Sequence, residues 1–572
     1  MSVVKSGSGS GLSAALRRQP AADDGEARGR GPIRFTLRAA AIAAGFVIMV
    51  VLLYQAALHG NIPDSDGATV VLQGKAMSSG NLLLNGWALS VDPFWTIDAV
   101  FYTVIELVTG MRATLLYLVP AIIAALVILV GVILARDRRG GAAGAAATVT
   151  VLALLAFPSH ALTTDFVHGA LHVGTTLWCL IAFAGLRSGR VRWGWAVAVV
   201  FLTAGLLGDL ETVAIGLAPV VAAGLVAVLR TRDWRSGVPG VCAAAAALLL
   251  AALIREAAIY AGTFSINPGH PRAKLSQLPV NLKYLVHWGA NLLGLGSGSF
   301  GSGGVPAPLQ AVHVIGLLVV LAAVGTATAA LIRGAVLGNR AAAAASGSWR
   351  LDDLLVFAFF ADLVVFLALT LGDDIGFARE LTAAIIFGAI LAGRWAGRLV
   401  TAIGSAWIRR AGAVAGLAVV TAFAVGFGLT LTAPRPIRPY DQLAQFLAAH
   451  HLSQGVGDYW SSSITTAASG GTVTVRPVFA KYGKVVRYRR QSGTDWYKGQ
   501  TFQFLVYNKA LPWQGVGWDT ANATFGHVAR TYFVGTYRVL VWNHPIEVAH
   551  GGLTANGRPG RTVLGGALSW NG

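Results

Sequence analysis

The stretch NIPDSDGATVVLQGKAMSSGN (residues 61–81) follows directly on an apolar run and opens with two carboxylates, Asp64 and Asp66, one residue apart. What the pair means depends on which side of a membrane it faces. The chain of 572 residues is 55% hydrophobic and 12% charged, with a mean hydropathy of +0.63. That is too apolar for a soluble protein of this length and places it among α-helical polytopic membrane proteins. A net charge of +19 suggests nucleic acid at first sight. In a membrane protein the excess belongs to the cytoplasmic loops, so no nucleic-acid partner is expected. Cys179 and Cys242 both lie in apolar runs and form no disulfide framework. The first apolar run begins near Phe35 and is about 24 residues long, a spanning length rather than a cleavable signal.

Apolar segments recur at 35–58, 113–135, 142–158, 170–186, 193–208, 211–229, 238–254, 309–332, 354–371, 381–393 and 411–432. They predict about 11 transmembrane helices. With the N-terminus in the cytoplasm, the cytoplasmic segments hold 23 Lys/Arg and the opposite loops 7, while acids number 7 inside and 12 outside. The bias predicts an N-in, C-out topology in a plasma (inner) membrane. Asp64 and Asp66 then face outward, as does everything after Ala433. Residues 1–33 read as a disordered cytoplasmic tail, 34–432 as the transmembrane domain and 433–572 as an exported soluble domain. High Gly, Ala and Arg content suggests a bacterial chain, which makes the outer side periplasmic or extracellular.

In the exported part, YDQLAQFLAAHHL (440–452) has helical periodicity, and GGTVTVRPVFA, KVVRYRR, TFQFLVYN and TYRVLVWNHPIEV read as strands. A small α+β or β-rich domain is expected. It holds 6 of the 16 Trp and 8 of the 13 Tyr, and 14 Lys/Arg against 5 Asp/Glu. Its aromatics suit a core, a sugar face or a membrane interface alike. The basic run 481–490 suits a solvated strand face or an anionic lipid or polymer.

The first outer loop, 59–112, is long and rich in aromatics set among acids. Trp87, Phe94, Trp95, Phe101 and Tyr102 sit among Asp92, Asp98 and Glu106. We expect amphipathic helices lying along the outer interface, in a loop too long to be a mere connector. The layout resembles the GT-C superfamily of membrane glycosyltransferases. The shared features are an outward acid after the first span, a structured first outer loop and a soluble C-terminal domain. The likeness is sharpest at PDSDGATVVLQGKAMSSGNLLLNGW (63–87), and GVGDYWSSSITTAASGGTVTVRPV (455–478) is similar to a tail of some bacterial members.

The resemblance implies transfer of a hexosyl or pentosyl group from a polyprenyl-phosphate-linked donor to an envelope glycan, lipid or protein. It also puts the role of general base on Asp64 or Asp66, with Asp64, the nearer to the span, slightly preferred. A carboxylate at headgroup depth suits removal of the acceptor hydroxyl proton. The pair suits equally a grip on a divalent cation, or a solvated turn without chemistry. Candidate donor-binding residues are Asp92, Asp98, Asp209, Glu211, His270, Arg272, Lys274 and Arg379. Arg379 is suited to a phosphate, with a local salt bridge to Asp374 or Glu380 as its alternative. The outer loop 255–308, which carries His270, Arg272 and Lys274, is placed to cover the donor. Asp165, His168 and His172 form D-x2-H-x3-H, a spacing for metal ligation or for a polar cavity wall. Asp362, near mid-span, favours the alternative function: a transporter or flippase for lipid-linked sugar or another envelope precursor.

Overall fold

The computed structural model describes residues 25–187, 191–266, 273–295, 307–338, 349–371, 375–510 and 515–548. The chain divides into two compact units, residues 1–48 and 49–572. Helix α1 spans Gly25–Gly60. Residues 25–33, expected to be part of a disordered tail, are therefore helical: once a turn exists, each further residue adds a bond for little extra ordering.

After α1 the chain turns sharply at Asn61–Asp64 into α2 (Ser65–Ser78), capped by Asp64, whose carboxylate accepts from the Gly67 amide at 3.0 Å. A short strand β1 (Trp87–Leu89) leads to α3 (Asp98–Thr109). Helices α2 and α3 pack closely because residue 74 is glycine. A Cβ there would sit 2.5 Å from the Tyr102 Cβ, a contact no side chain tolerates. The expectation of interfacial helices with aromatics in lipid is corrected. Most of α2 is buried in protein, as are Trp87, Phe94, Trp95 and Tyr102, and the outward face of α3 is aliphatic (Val104, Leu107, Val108).

Next come α4 (Leu115–Arg136), α5 (Gly141–Val151) and α6 (His160–Phe166). The α5 helix runs on to Ala156 and then bends by 86° into α6. Pro158 lacks the amide that would continue the helix, and Ser159 caps α6 by accepting from the Leu162 amide at 3.0 Å. Helices α7 (Val173–Arg187), α8 (Val191–Gly208), α9 (Ala218–Thr231) and α10 (Val238–Tyr260) follow. They lead through strand β2 (Ser265–Ile266) to α11 (Leu278–Leu292) and α12 (Ala307–Leu337). The last apolar helices are α13 (Leu351–Ala368), α14 (Thr382–Ala402) and α15 (Ala406–Thr432).

All eleven predicted apolar segments fall on helices. Among the described residues, seven helices are long and apolar enough to cross a membrane, or eight if the bent pair is one span. The others are shorter, as α7 is, or carry several carboxylates, as α13 does with Asp352, Asp353 and Asp362. The protein is an integral membrane protein.

From Pro439 an α+β layer begins with α16 (Pro439–Ala449), β3 (Gln454–Gly457), α17 (Tyr459–Ala468) and β4 (Thr474–Lys481). Strands β5 (Lys484–Arg487), β6 (Ser492–Gly493) and β7 (Phe502–Asn508) follow. Helix α18 (Trp518–Phe525) and strands β8 (Arg530–Val534) and β9 (Tyr537–Ile546) complete it. The main sheet has the order β5-β4-β3-β7-β9-β8. Strand β3 is parallel to both β4 and β7, with Val456 opposite Arg476 and Leu505, and the remaining pairs are antiparallel. Parallel β3 and β4 need a crossover, and α17 supplies it. Leu443, Val475, Phe504 and Val539 fill one face of the sheet; Val456, Val478, Leu505 and Leu540 fill the other.

This layer is tied to the helices rather than hung from them. A three-stranded sheet, β2-β1-β6, joins the segments 59–112 and 255–308 to it. The crossover helix α17 packs on α2, where the Thr69 hydroxyl donates to Ser463 Oγ at 3.1 Å. The Tyr117 and Tyr440 hydroxyls meet at 3.0 Å, and the Arg438 guanidinium donates to the Leu58 carbonyl at 2.7 Å.

Candidate active site

A cavity of about 610 Å³ opens where the N-termini of α2 and α17 meet the ends of several apolar helices. Asp66, in the first turn of α2, lines it. The Tyr459 hydroxyl, at the start of α17, donates to Asp66 Oδ1. Tyr459 is held there by Asp458, which is fully buried and caps α17. The Asp458 carboxylate accepts from the Ser461 amide at 3.0 Å and from the Asn508 amide at 2.9 Å. Burial and then the neighbouring Asp64 carboxylate push the Asp66 carboxyl above its ordinary value, against the opposing pull of Tyr459, Arg379 and His168.

Asp64 plays a different part. Its Oδ1 is spent on the α2 cap and its Oδ2 lies 3.7 Å from His168 Nε2.

The second group on the cavity wall is built on one imidazole. His172 Nδ1 is 2.7 Å from Asp209 Oδ2 and 2.6 Å from Glu211 Oε2, and its Nε2 is 3.2 Å from Glu380 Oε2. Thr175 donates to the same Asp209 oxygen. Asp209 Oδ1 accepts from the Glu211 amide at 2.9 Å, which fixes the two acids on one tight turn. One N–H cannot serve two carboxylates in line. Glu211 Oε2 is close to the nitrogen yet makes no hydrogen bond. Ligand atoms of His172, Asp209 and Glu211 all lie within 4.8 Å of one another. A nitrogen and two carboxylate oxygens converging in this way, one oxygen left without a hydrogen, are a donor set that fits a divalent cation.

The other sequence candidates divide. Asp92 lines the cavity and accepts from the Leu210 amide at 3.1 Å. Arg379 lines it too, and its Nε lies 3.3 Å from Glu380 Oε1. Asp209 and Glu211 belong to the His172 group. Asp98 stands behind it, buried, with Oδ2 unpartnered; burial, and then Asp209, push its carboxyl to about 8. Lys274 is exposed and does not line the cavity. His270 and Arg272 lie outside the described residues; the part of the loop that is described carries β2 and α11.

The D-x2-H-x3-H residues do not gather into one metal site, but His172 lines the cavity wall, the other reading of that spacing. Among the described residues the metal-type group is His172, Asp209 and Glu211. Helix α6 ends at Phe166 and α7 starts at Val173, with Ala170 at φ +59 between them, so the three residues do not share a helical face. His168 turns instead to the Gly169 carbonyl (2.9 Å) and toward Asp64. Asp165 lies within electrostatic reach of Arg379 and Glu380. Asp362 is fully buried, accepts from the Ala384 amide at 2.7 Å and neighbours Glu211, so it belongs to the wall of this group.

Sequence reading missed what the α+β layer contributes. Tyr459, Trp460, Tyr488, Arg490 and Gln491 all line the cavity. The available signal was GDYW at 457–460, a helix cap followed at once by two aromatics. The basic run 481–490 reaches the cavity at its end rather than along its length.

No family model matches the sequence, and no curated protein is significantly similar to it. Solved structures do match in fold. ArnT from Cupriavidus metallidurans in the apo state aligns over 88% of this chain and 98% of its own, at 14% identity and a TM-score of 0.51. The same protein bound to undecaprenyl phosphate aligns over 87% and 98%, at 12% identity and 0.50. An oligosaccharyltransferase from Archaeoglobus fulgidus aligns over 81% of this chain and 67% of its own, at 11% identity; its TM-score of 0.44 is too low to argue from. The chain has a GT-C-like fold: an apolar helical bundle with a structured first outer loop and an α+β C-terminal layer.

Proposed function

We propose that this protein is a membrane glycosyltransferase. It moves a sugar from a polyprenyl-phosphate-linked donor to an acceptor of the cell envelope, on the outer face of the membrane. The observation that carries the reading is the position of Asp66. It is a half-buried carboxylate in an open cavity, at the start of a helix that follows directly on an apolar span, and the cavity wall also holds Arg379 and Arg490. The similar ArnT structure bound to undecaprenyl phosphate supports a lipid-phosphate donor.

In the proposed reaction the Asp66 carboxylate removes the proton of the acceptor hydroxyl. The hydroxyl oxygen bonds to the anomeric carbon, the bond from that carbon to the phosphate oxygen breaks, and the polyprenyl phosphate departs with the electron pair. Asp66 suits this better than Asp64, whose carboxylate is committed to a helix cap. A carboxyl raised by burial is also a stronger base than a solvated one. Arg379 and Arg490 are placed to hold the phosphate. His172, Asp209 and Glu211 would hold a divalent cation, which supplies charge neutralisation at a phosphate leaving group.

Asp64→Asn and Asp66→Asn, each in membranes supplied with lipid-linked donor, test the assignment. Asp66→Asn is expected to abolish transfer, and Asp64→Asn, whose amide oxygen can still cap α2, to retain most of it. Full transfer in Asp66→Asn would remove the base from the reaction.

A further inference from the structure

A second cleft, of about 340 Å³, lies at the other ends of α2 and α17. Leu72 and Lys75 of α2 and Thr466 of α17 form one side; Trp87, Arg476 and Trp496 form the other. Lys75 is nine residues beyond Asp66, about 14 Å along the helix at the usual rise. The floor is the β1–β6 pairing, Trp87 opposite Gly493.

Arg476 is out of pattern. In TVTVRPVFA the strand alternation places Val475 in one core of the sheet and Val478 in the other, so Arg476 falls on the same side as Val478. A cation on an apolar face breaks the local rule, and such breaks gather at functional sites. The Arg476 guanidinium lies 4.1 Å over the Trp496 ring, and Trp496 meets Trp87 edge-on at 4.9 Å. Among the described residues no carboxylate forms an ion pair with it. Asp495, also on the cleft, is exposed and turned to the outer-loop backbone: a Cβ at Gly86 would lie 3.0 Å from its Oδ2. Burial without a carboxylate pulls the guanidinium down to about 10. A half-buried cation with no carboxylate partner is costly, and a ligand that brings an anion relieves that cost. Lys75 adds a second positive charge at the rim.

We propose that this cleft binds an acidic saccharide, the anionic stretch of the acceptor glycan. The assignment to the acceptor rests on the glycosyltransferase reading. A guanidinium fixed on an indole face presents its edge bidentately to a carboxylate. The distance to Asp66 is one a short oligosaccharide can bridge, so the acceptor is held at two points, one beside the base and one here.

The test is equilibrium binding to the full chain in lipid nanodiscs, without donor, using tetragalacturonate and the neutral maltotetraose as probes. Tetragalacturonate is expected to bind, and Arg476→Gln to weaken it at least about tenfold. Lys75→Gln should weaken it severalfold, and Lys484→Gln, exposed and lining neither cavity, should leave it unchanged. If Arg476→Gln fails to fold, Lys75→Gln on the exposed rim carries the test. Absence of tetragalacturonate binding, equal binding of maltotetraose, wild-type affinity in the Lys75 or Arg476 variant, or an equal loss in the Lys484 variant would each overturn the proposal. No donor is present, so a protein that transfers sugar yet binds no probe sinks the cleft alone. One that binds the probe but transfers nothing sinks the enzymatic reading alone.

Discussion

Two charge clusters cap the helical bundle, and they are built on opposite principles. At one, Arg394 lies against Asp352 and 3.6 Å from Asp137, Arg398 also meets Asp352, and Arg187 is 2.7 Å from Asp137. Each of these two acids faces two guanidiniums, and none of the pockets described above is lined by them. At the other, Asp209, Glu211 and Glu380 crowd a single imidazole, Asp66 and Asp362 stand nearby, and the group borders a cavity of about 610 Å³. The first arrangement closes each acid on two guanidiniums within the fold. The second keeps an excess of acid that only a proton, a cation or a cationic transition state can balance. Buried pairs that close on each other indicate structure; buried acids in excess around a void indicate chemistry.

The largest expected effect breaks the comparison cleanly. Asp66→Asn should cut transfer by about 10³-fold, the usual worth of a general base, while the melting temperature of the purified protein stays within a few degrees of wild type. Asp352→Asn should do the reverse. It leaves Arg394, which is nearly buried, with Asp137 at 3.6 Å as its one remaining acid, and should cost about 3 kcal/mol, yet leave transfer per folded molecule within about threefold. Transfer lost in Asp352→Asn at an unchanged melting temperature would dissolve the distinction.

The second prediction sharpens the acid-rich end. Asp209→Asn removes one of three converging ligands. Protein dialysed against Mn²⁺ should hold one ion per chain by elemental analysis, and Asp209→Asn should hold at least about tenfold less at equal free metal. EDTA treatment of the wild type should lower transfer, and added Mn²⁺ should restore it. Stoichiometric Mn²⁺ in Asp209→Asn would mean that the group is bridged by protons alone.

What could be read in the sequence follows the same divide. The apolar runs and the bias of Lys/Arg were legible, because spanning a bilayer requires length and apolarity in contiguous sequence. The strands of the C-terminal layer were legible by their β-branched alternation. Asp66, Asp92, Asp209, Glu211 and Arg379 were legible as acids and a cation at the ends of apolar runs. Their grouping was not. Asp209 meets His172 across 37 residues and Tyr459 meets Asp66 across 393, and no local periodicity encodes such contacts. The D-x2-H-x3-H spacing misled because it assumed one continuous helix where the chain breaks at Ala170. The first outer loop misled for a related reason. Its aromatics look interfacial in sequence, but Trp87 packs on Trp496 and α17 packs on α2, in a layer encoded some 400 residues later, while Trp95 packs on Phe264.

A smaller effect tests how the C-terminal layer tunes the base. The Tyr459 hydroxyl stabilises the ionised form of Asp66 and so opposes the upward push of burial. Tyr459→Phe should raise the Asp66 pKa further. The acid limb of the transfer rate, where activity falls as the base is protonated, should move up by about 1 pH unit, one hydrogen bond to a charged group being worth a little over 1 kcal/mol. At pH well above that limb the variant should approach wild-type rate. A limb that stays put, or moves down, would mean that Tyr459 serves packing rather than the base.

The smallest effect concerns a buried acid that lines neither cleft. Glu106 on α3 is almost fully buried with both carboxylate oxygens unpartnered, and burial pushes its carboxyl to about 7. The folded state therefore holds a proton that the unfolded chain releases near 4.5. The sign follows: its contribution to stability is complete below about pH 4.5 and is lost as pH rises to about 7. Glu106→Gln mimics the protonated form and removes this dependence. Its melting temperature should match wild type at pH 4 and exceed it by a few degrees at pH 8, with transfer unchanged throughout. If the gap were constant across that range, Glu106 would be ionised in the fold. Isolated burial would then not suffice to keep an acid neutral here, and the distinction between closed pairs and unpaired acids would have to rest on the cavity alone.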